Sequence, residues 1–247
     1  MVKNEKTRNT CFRIADFLYP RACIGCNKAM NERSGFRHIC TECEKSFWLH
    51  REPSCKFCGL TCPNIEEKQE WICANCRELE PFFDNGKSLF QMRGVGKKMI
   101  HVLKYQEGLF LKSDFLALLD KYFLAYKNFL TNSRLVPVPL HFWREYKRGY
   151  NQSVYLAHWL AEWSGSSVCF CLKRRHSTRT QTELNKDDRK KNVKNAFALS
   201  KKEPINAKER YVVVDDVFTT GATLNACAKA LKEAGATRIG IFTFGHG

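Results

Sequence analysis

Acidic residues are scarce over the last two thirds of this 247-residue chain. Residues 85–247 carry 28 Lys and Arg against 13 Asp and Glu, whereas residues 1–84 are close to balance at 13 against 12. Nearly all of the net charge of +16 therefore resides in one region. Charge distributed in this way points to a polyanionic partner such as a nucleic acid, more than to general solubility, although some of the cations could serve only a small phosphate ligand. Long apolar runs are also missing. No stretch approaches the ~20 residues that cross a bilayer, and MVKNEKTRNT at the N-terminus has no apolar segment behind it of the kind a secretory signal needs. The expectation is a soluble, cytoplasmic protein with no membrane insertion.

Aliphatic side chains are sparse in the first 80 or so residues, too few for a self-sufficient core. Cysteine takes their place, with ten of the chain's thirteen in residues 1–76. Four C-x-x-C knuckles follow in order: Cys23/Cys26, Cys40/Cys43, Cys55/Cys58 and Cys73/Cys76. Thirteen residues separate the first two knuckles and fourteen the last two. Each knuckle bends the backbone so that two thiolates face one ion, and in a reducing compartment this spacing favours zinc over disulfides. Pairing first with second and third with fourth makes two successive zinc ribbons; an interleaved cross-brace is the alternative, and Cys62 lies near enough to the second site to substitute for a ligand. Four thiolates leave no open coordination position, so the expected role of both zinc ions is structural. Two filled sites, each carrying about −2, leave this head mildly acidic, better suited to a protein partner than to phosphates. The division expected from composition is residues 1–84 and residues 85–247. Cys169, Cys171 and Cys227 fall in apolar patterns and read as small core residues.

The second region alternates strand and helix patterns, the mark of an α/β fold with a parallel sheet. Its most informative stretch is VVVDDVFTTGAT, residues 212–223. Three valines form a buried parallel strand with Asp215 and Asp216 at its end. Thr219, Thr220, Gly221, Ala222 and Thr223 then make a turn rich in hydroxyls and backbone N–H groups, and Leu224, Cys227, Leu231 and Ala234 recur at helical spacing until Gly235. Such a turn at a helix N-terminus receives an anion such as phosphate. Carboxylates beside it suit sugar hydroxyls or a bound Mg²⁺. The plainer alternative is an ordinary strand-to-helix connection with acids in its loop.

Other segments fit around this one. Helices are expected around Met99, Val102 and Leu103 and from Asp114 to Tyr126. Leu135-Val136-Pro137-Val138-Pro139 reads as a strand end, because its prolines lack ladder donors. Arg144, Lys147 and Arg148 follow in a basic loop with Gly149-Tyr150-Asn151-Gln152. A helix over Ser153–Trp163 has Leu156, Leu160 and Trp163 on one face and ends at Gly165; a strand over Val168–Leu172 comes next. Residues 173–194 are basic and polar with hardly any apolar residue, which reads as a disordered basic loop or a clamp on a single strand. Arg238–Phe244 is the final strand.

The order hydrophobic run, Asp-Asp, two apolar residues, T-T-G-x-T resembles the signature of the type I phosphoribosyltransferases, with Phe218 bulkier than is usual at its position. That resemblance implies a parallel sheet flanked by helices and a site for phosphoribosyl pyrophosphate (PRPP) with Mg²⁺. Asp215 and Asp216 would hold the ribose hydroxyls, and Thr219 to Thr223 the 5′-phosphate. Val138, Pro139, Arg144, Lys147 and Arg148 would serve the pyrophosphate, with Arg179, Gln181 and Arg189 on the flexible loop. Cations there would meet charge growing on a departing pyrophosphate. Adding the cysteine knuckles, V-P-V-P, R-G-Y-N-Q and the run Gln181, Leu184, Arg189, Asn192, Phe197, the chain from Cys23 onward resembles the ComF family, related to bacterial competence proteins. This narrower resemblance implies a double zinc ribbon joined to a phosphoribosyltransferase-like domain, acting on incoming single-stranded DNA in the cytoplasm, with other competence proteins as partners of the head.

Two functions follow as expectations. One is a PRPP-binding protein whose basic surface holds single-stranded DNA, with Tyr146 and Tyr150 stacking bases. The other is a Mg²⁺-dependent phosphoribosyltransferase acting on a base or amine. Against the second, no hood that recognises an acceptor is identifiable after the final strand, although residues 85–130 or the zinc head could supply one. A zinc-ribbon transcription regulator ranks last, because the positive charge lies outside the ribbons.

Overall fold

The valine run at 212–214 lies at the centre of a five-stranded parallel sheet. The computed structural model describes residues 21–30, 35–63, 71–175, 196–200 and 203–247, with Arg144 described by its backbone alone. Short helices α1 (Thr41–Glu44) and α2 (Ala74–Leu79) belong to the cysteine-rich segment. There follow β1 (Asn85–Gln91), α3 (Gly94–Tyr105), α4 (Lys112–Tyr122), α5 (Lys127–Leu130), β2 (Ser133–Pro137), α6 (Phe142–Arg148) and α7 (Gln152–Ser164). The chain continues through β3 (Ser167–Val168), β4 (Leu172–Arg174), β5 (Phe197–Leu199), β6 (Arg210–Phe218), α8 (Ala222–Glu233) and β7 (Arg238–His246). Strand order in the sheet is β1-β7-β6-β2-β3, and β4 and β5 form a separate antiparallel pair.

Both faces of the sheet are covered, which is why β6 reads as a continuous apolar run. Side chains alternate across a strand. Val212 and Val214 join Leu135, Phe242 and Phe244 on one face, under Met99, Phe115 and Leu156 from α3, α4 and α7. Val213 joins Val136, Ile239 and Ile241 on the other, under Leu224, Cys227 and Leu231 of α8. The cysteine-rich segment straddles the sheet. Phe36 and Ile39 belong to the first apolar cluster, whereas Cys55, Cys58, Cys73 and Cys76 belong to the second. Between these halves, Leu49 bridges Phe90, with His50 N donating to Leu89 O and Gln91 N to Trp48 O, each at 2.8 Å. The segment thereby caps the β1 edge, which would otherwise present unpaired backbone groups.

Several sequence expectations need correction. Asp215 and Asp216 lie within β6, which runs on to Phe218. The ladder with β2 stops at Val214, where Pro137 ends the partner strand, while the ladder with β7 continues past Asp215. Residues 142–148 form a helix in place of a loop: His141 Nδ1 accepts from Trp143 N at 3.4 Å and Gly149 closes the helix at φ +76°. The strand expected over 168–172 is divided between β3 and β4, because Phe170 N turns to Glu203 Oε1 at 2.8 Å. The helix expected from Asp114 to Tyr126 ends at Tyr122 and gives way to a 3-10 turn. The helix after residues 219–221 and the one closed by Gly165 form as expected, with Leu224, Cys227 and Leu231 of the first and Leu156, Leu160 and Trp163 of the second buried, while Ala234 is a partly buried cap beyond the end of α8.

Candidate functional site

Asp215 and Asp216 are held from two helices. Ser153 Oγ, in the first turn of α7, donates to Asp215 Oδ1 at 2.8 Å, and Asp216 N donates to the same oxygen at 2.9 Å. Gln152 Nε2 donates to Asp216 Oδ2 at 2.7 Å, while Lys104 Nζ, near the end of α3, lies 2.9 Å from Asp216 Oδ1. The start of α7 is fixed by its cap, since Asn151 Oδ1 accepts from Ser153 N at 3.0 Å. Burial, and then the charge of Asp216, push the Asp215 carboxyl up to about 7. The pair thus combines a buried carboxylate beside an ammonium group with a carboxyl poised to change charge near neutrality.

The turn of residues 219–223 follows directly. Thr219 and Thr220 are exposed, and Gly221 caps α8 at φ +74°. A Cβ at Gly221 would lie 2.5 Å from Phe218 Cζ and 2.7 Å from Leu79 Cδ2, so glycine is required by conformation and by space. Ala222 and Thr223 are already helical, and the N–H groups of the first turn of any α-helix lack intrahelical acceptors. Together with the helix dipole, that turn can receive a phosphate beside two acids able to accept sugar hydroxyls.

Arg148 reaches this constellation through Gln152, whose Oε1 accepts from Arg148 Nη1 at 2.9 Å. Its guanidinium also lies over Tyr105, 5.2 Å from the ring centroid. Val138 is tied in through its carbonyl, which accepts from Asn151 Nδ2 at 3.0 Å. Pro139 is half-buried beyond the strand end and Lys147 is exposed on α6. Arg179, Gln181 and Arg189 lie outside the described residues, as does the Arg144 side chain. Lys104 and Ser153 were not among the expected site residues. Ser153 and Gln152 could have been found, since they follow R-G-Y-N and open an amphipathic helix. A lysine in the last turn of a helix carries no comparable signal.

The cysteines gather as the first of the two pairings anticipated. Cys23, Cys26, Cys40 and Cys43 form one tetrad and Cys55, Cys58, Cys73 and Cys76 the other, with ligand atoms in each within 4.8 Å of one another. The Sγ separations of 3.8 Å for Cys26–Cys40 and 3.7 Å for Cys58–Cys73 match a tetrahedral zinc ion with bonds near ~2.3 Å. Backbone N–H groups of Gly25 and Cys40 point at Cys23 Sγ from 3.3 and 3.4 Å. Burial opposes ionisation there, but these donors and Cys26 N bring the Cys23 thiol down to about 7. The residues fit two structural zinc ions, and Cys62, though buried, is outside both tetrads.

Residues 152–245 match the family described as phosphoribosyl transferase domain, and residues 14–77 that described as double zinc ribbon domain. The class of protein is therefore a double zinc ribbon joined to an α/β domain of phosphoribosyltransferase type. Competence protein F of Haemophilus influenzae is 30% identical over 211 residues, spanning 83% of this chain and 88% of that protein. DNA utilization protein YhgH of Salmonella typhi is also 30% identical, over 214 residues with the same coverage. Competence protein ComFC of Streptococcus pneumoniae is 24% identical, over 83% of this chain and 86% of its own. The chain belongs to the Competence protein F family, the one its motifs resemble. A hypoxanthine phosphoribosyltransferase structure from Staphylococcus aureus aligns with 60% of this chain and 62% of that one, at 12% identity and a TM-score of 0.31. Among the described residues, no helix is long and apolar enough to cross a membrane.

Proposed function

We propose that this protein binds PRPP with Mg²⁺ at the Asp215–Thr223 site and holds single-stranded DNA on its basic region, in the cytoplasm, during DNA uptake. The observation that carries the proposal is the placement of two hydrogen-bonded acids directly before a glycine-capped helix N-terminus. In this reading Asp215 and Asp216 accept the ribose hydroxyls, residues 219–223 receive the 5′-phosphate, and Arg148 faces the pyrophosphate. The names of the relatives, which speak of competence and DNA utilization, support the second half of the proposal. So does α6, where Phe142, Trp143 and Tyr146 are 58, 69 and 76% exposed beside Lys147. Exposed aromatics among cations stack unpaired bases. The zinc head, acidic once filled, is left to protein partners of the uptake machinery.

The test is calorimetric titration of PRPP and Mg²⁺ into the intact chain and into Asp215→Asn/Asp216→Asn. Saturable binding that disappears in the double variant is expected; an intact chain that takes up no PRPP overturns the first half. For the second half, anisotropy of a labelled oligothymidylate is expected to show weakened binding with Trp143→Ala/Tyr146→Ala. Unchanged affinity removes α6 from the DNA site. One feature favours catalysis as the alternative: a carboxyl titrating near neutrality, as Asp215 does, can accept the proton of an attacking base or amine. Pyrophosphate release with candidate acceptors tests that reading.

A further inference from the structure

The turn that receives the phosphate is made of small residues with little packing of their own. Its shape is supplied from outside, by the second zinc ribbon. α2 starts directly after Cys73 and contains Cys76, so two ligands of the second tetrad fix its position. From this helix Asn75 Nδ2 donates to Thr219 O at 3.4 Å, and Leu79 fills the space where a Cβ on Gly221 would sit. Asn225, in the first turn of α8, accepts from Phe82 N at 2.7 Å and donates to Leu79 O at 3.2 Å. On the other side of the turn, His246 stacks on Phe218 with centroids 4.9 Å apart, and its Nε2 lies 3.4 Å from Cys58 Sγ. Both flanks of the turn therefore touch residues of the second ribbon.

We propose that Asn75, Leu79 and Asn225 are positioning residues for the phosphate turn, so that the second zinc ribbon sets the direction of the N–H groups in residues 219–223. An anion site made of backbone amides works only if those N–H groups converge; within the turn Thr220 Oγ1 accepts from Ala222 N at 3.4 Å, and the contacts from α2 add restraint from outside. The proposal rests on the reading that this turn receives a sugar phosphate, but its central claim is about the turn's shape and can be tested without ligand.

The experiment is hydrogen exchange by mass spectrometry on the full, zinc-loaded chain, comparing the native sequence with Asn75→Ala/Leu79→Ala. The amides hydrogen-bonded around the turn, Asn225 N to Gly221 O, Gly247 N to Phe218 O and Phe82 N to Asn225 Oδ1, are expected to exchange about tenfold faster while those in the middle of β6 and β7 keep their rates. Restoring volume alone, with Asn75→Ala/Leu79→Met, is expected to recover part of the protection. The milder Asn75→Ala variant serves where the double variant does not fold. Unchanged exchange in the turn overturns the proposal, and so does acceleration spread equally over β6 and β7, which is what a general loss of stability produces. PRPP titration into the same proteins separates the two readings. If the native chain does not bind PRPP, the phosphate assignment falls while the exchange data still decide the positioning claim. If it does bind, the double variant is expected to bind at least about tenfold more weakly.

Discussion

The two cysteine tetrads share one spacing rule but occupy different surroundings. In the first, Cys23 is buried, Cys40 and Cys43 are partly covered and Cys26 is exposed; in the second, all four are buried. The first packs Phe36 and Ile39 under α3 and α4 and adds polar contacts to those helices. His38 N and Nδ1 reach the two carboxylate oxygens of fully buried Asp114, each at 2.7 Å, and Lys98 Nζ donates to Gly25 O at 2.5 Å. The second is part of an apolar cluster with β6, β7 and α8, and its backbone is bonded into β1, where Ser88 Oγ donates to Cys58 O at 2.7 Å. Knuckle spacing alone fixes ligand geometry. What a ribbon supports depends on the surface it is pressed against.

The largest expected effect tests this difference directly. Cys73→Ser/Cys76→Ser is expected to abolish cooperative unfolding, because the ~10 kcal/mol associated with a structural zinc is comparable to a domain's whole stability. Cys26→Ser/Cys40→Ser is expected to leave a folded chain with one zinc and disorder confined to the first ribbon. Zinc content and thermal unfolding of both variants are the measurements, and equal damage from the two would erase the contrast. With the native chain, a colorimetric chelator is expected to remove one equivalent of zinc quickly and the second much more slowly.

A smaller effect sharpens the description of the first ribbon. His38→Ala leaves the buried Asp114 without its imidazole partner and is expected to cost about 2–3 kcal/mol in denaturant unfolding. A loss near zero would mean that the ribbon is merely tethered.

Asp215→Asn alters the site while leaving both ribbons intact. The Asp215 carboxyl is raised to about 7 in the folded chain, so its contribution to stability is present in acid and is lost as pH rises through 7. Stability of the native chain is expected to fall between about pH 4 and 7, from the ordinary carboxyl value to the raised one, more steeply than that of Asp215→Asn. PRPP affinity is expected to move the opposite way, rising as pH passes through about 7 and the carboxylate becomes a better acceptor, and Asp215→Asn is expected to flatten it. Smallest of all is Glu42→Gln, which breaks an exposed pair with Lys45 on the first ribbon and is expected to leave the melting temperature unchanged.

Much of this arrangement was legible because particular residues have few alternatives. Regular C-x-x-C spacing marked the eight ligands while leaving two pairings open, the acid pair and T-T-G-x-T marked the turn, and Gly165 and Gly235 marked the ends of α7 and α8. β1 gave a poorer signal. Its NGKSLFQ includes a fully buried serine and a glycine, and the reason is tertiary: a Cβ on Gly86 would lie 2.1 Å from Phe57 O in the second ribbon. Lys104 was invisible for a related reason. It looks like any solvated lysine at the end of a helix until the fold carries it to Asp216. In the basic segment after Pro139 charge is the dominant sequence signal, and His141, whose Nδ1 caps the helix there, is not one of the common capping residues.

The position of β7 has a consequence for how the cell must make this protein. Residues 238–246 fill the gap between β1 and β6, and β1 has no other neighbour among the strands of the sheet. A ribosome delivers both cysteine tetrads before any strand of the sheet, yet it cannot supply the strand that joins β1 to the rest until nearly all of the described chain has been made. Metal can therefore be loaded early in synthesis, whereas closure of the sheet waits for β7. In that interval the inner edge of β1 is open to foreign strands, and filling the tetrads early would give the nascent head order of its own.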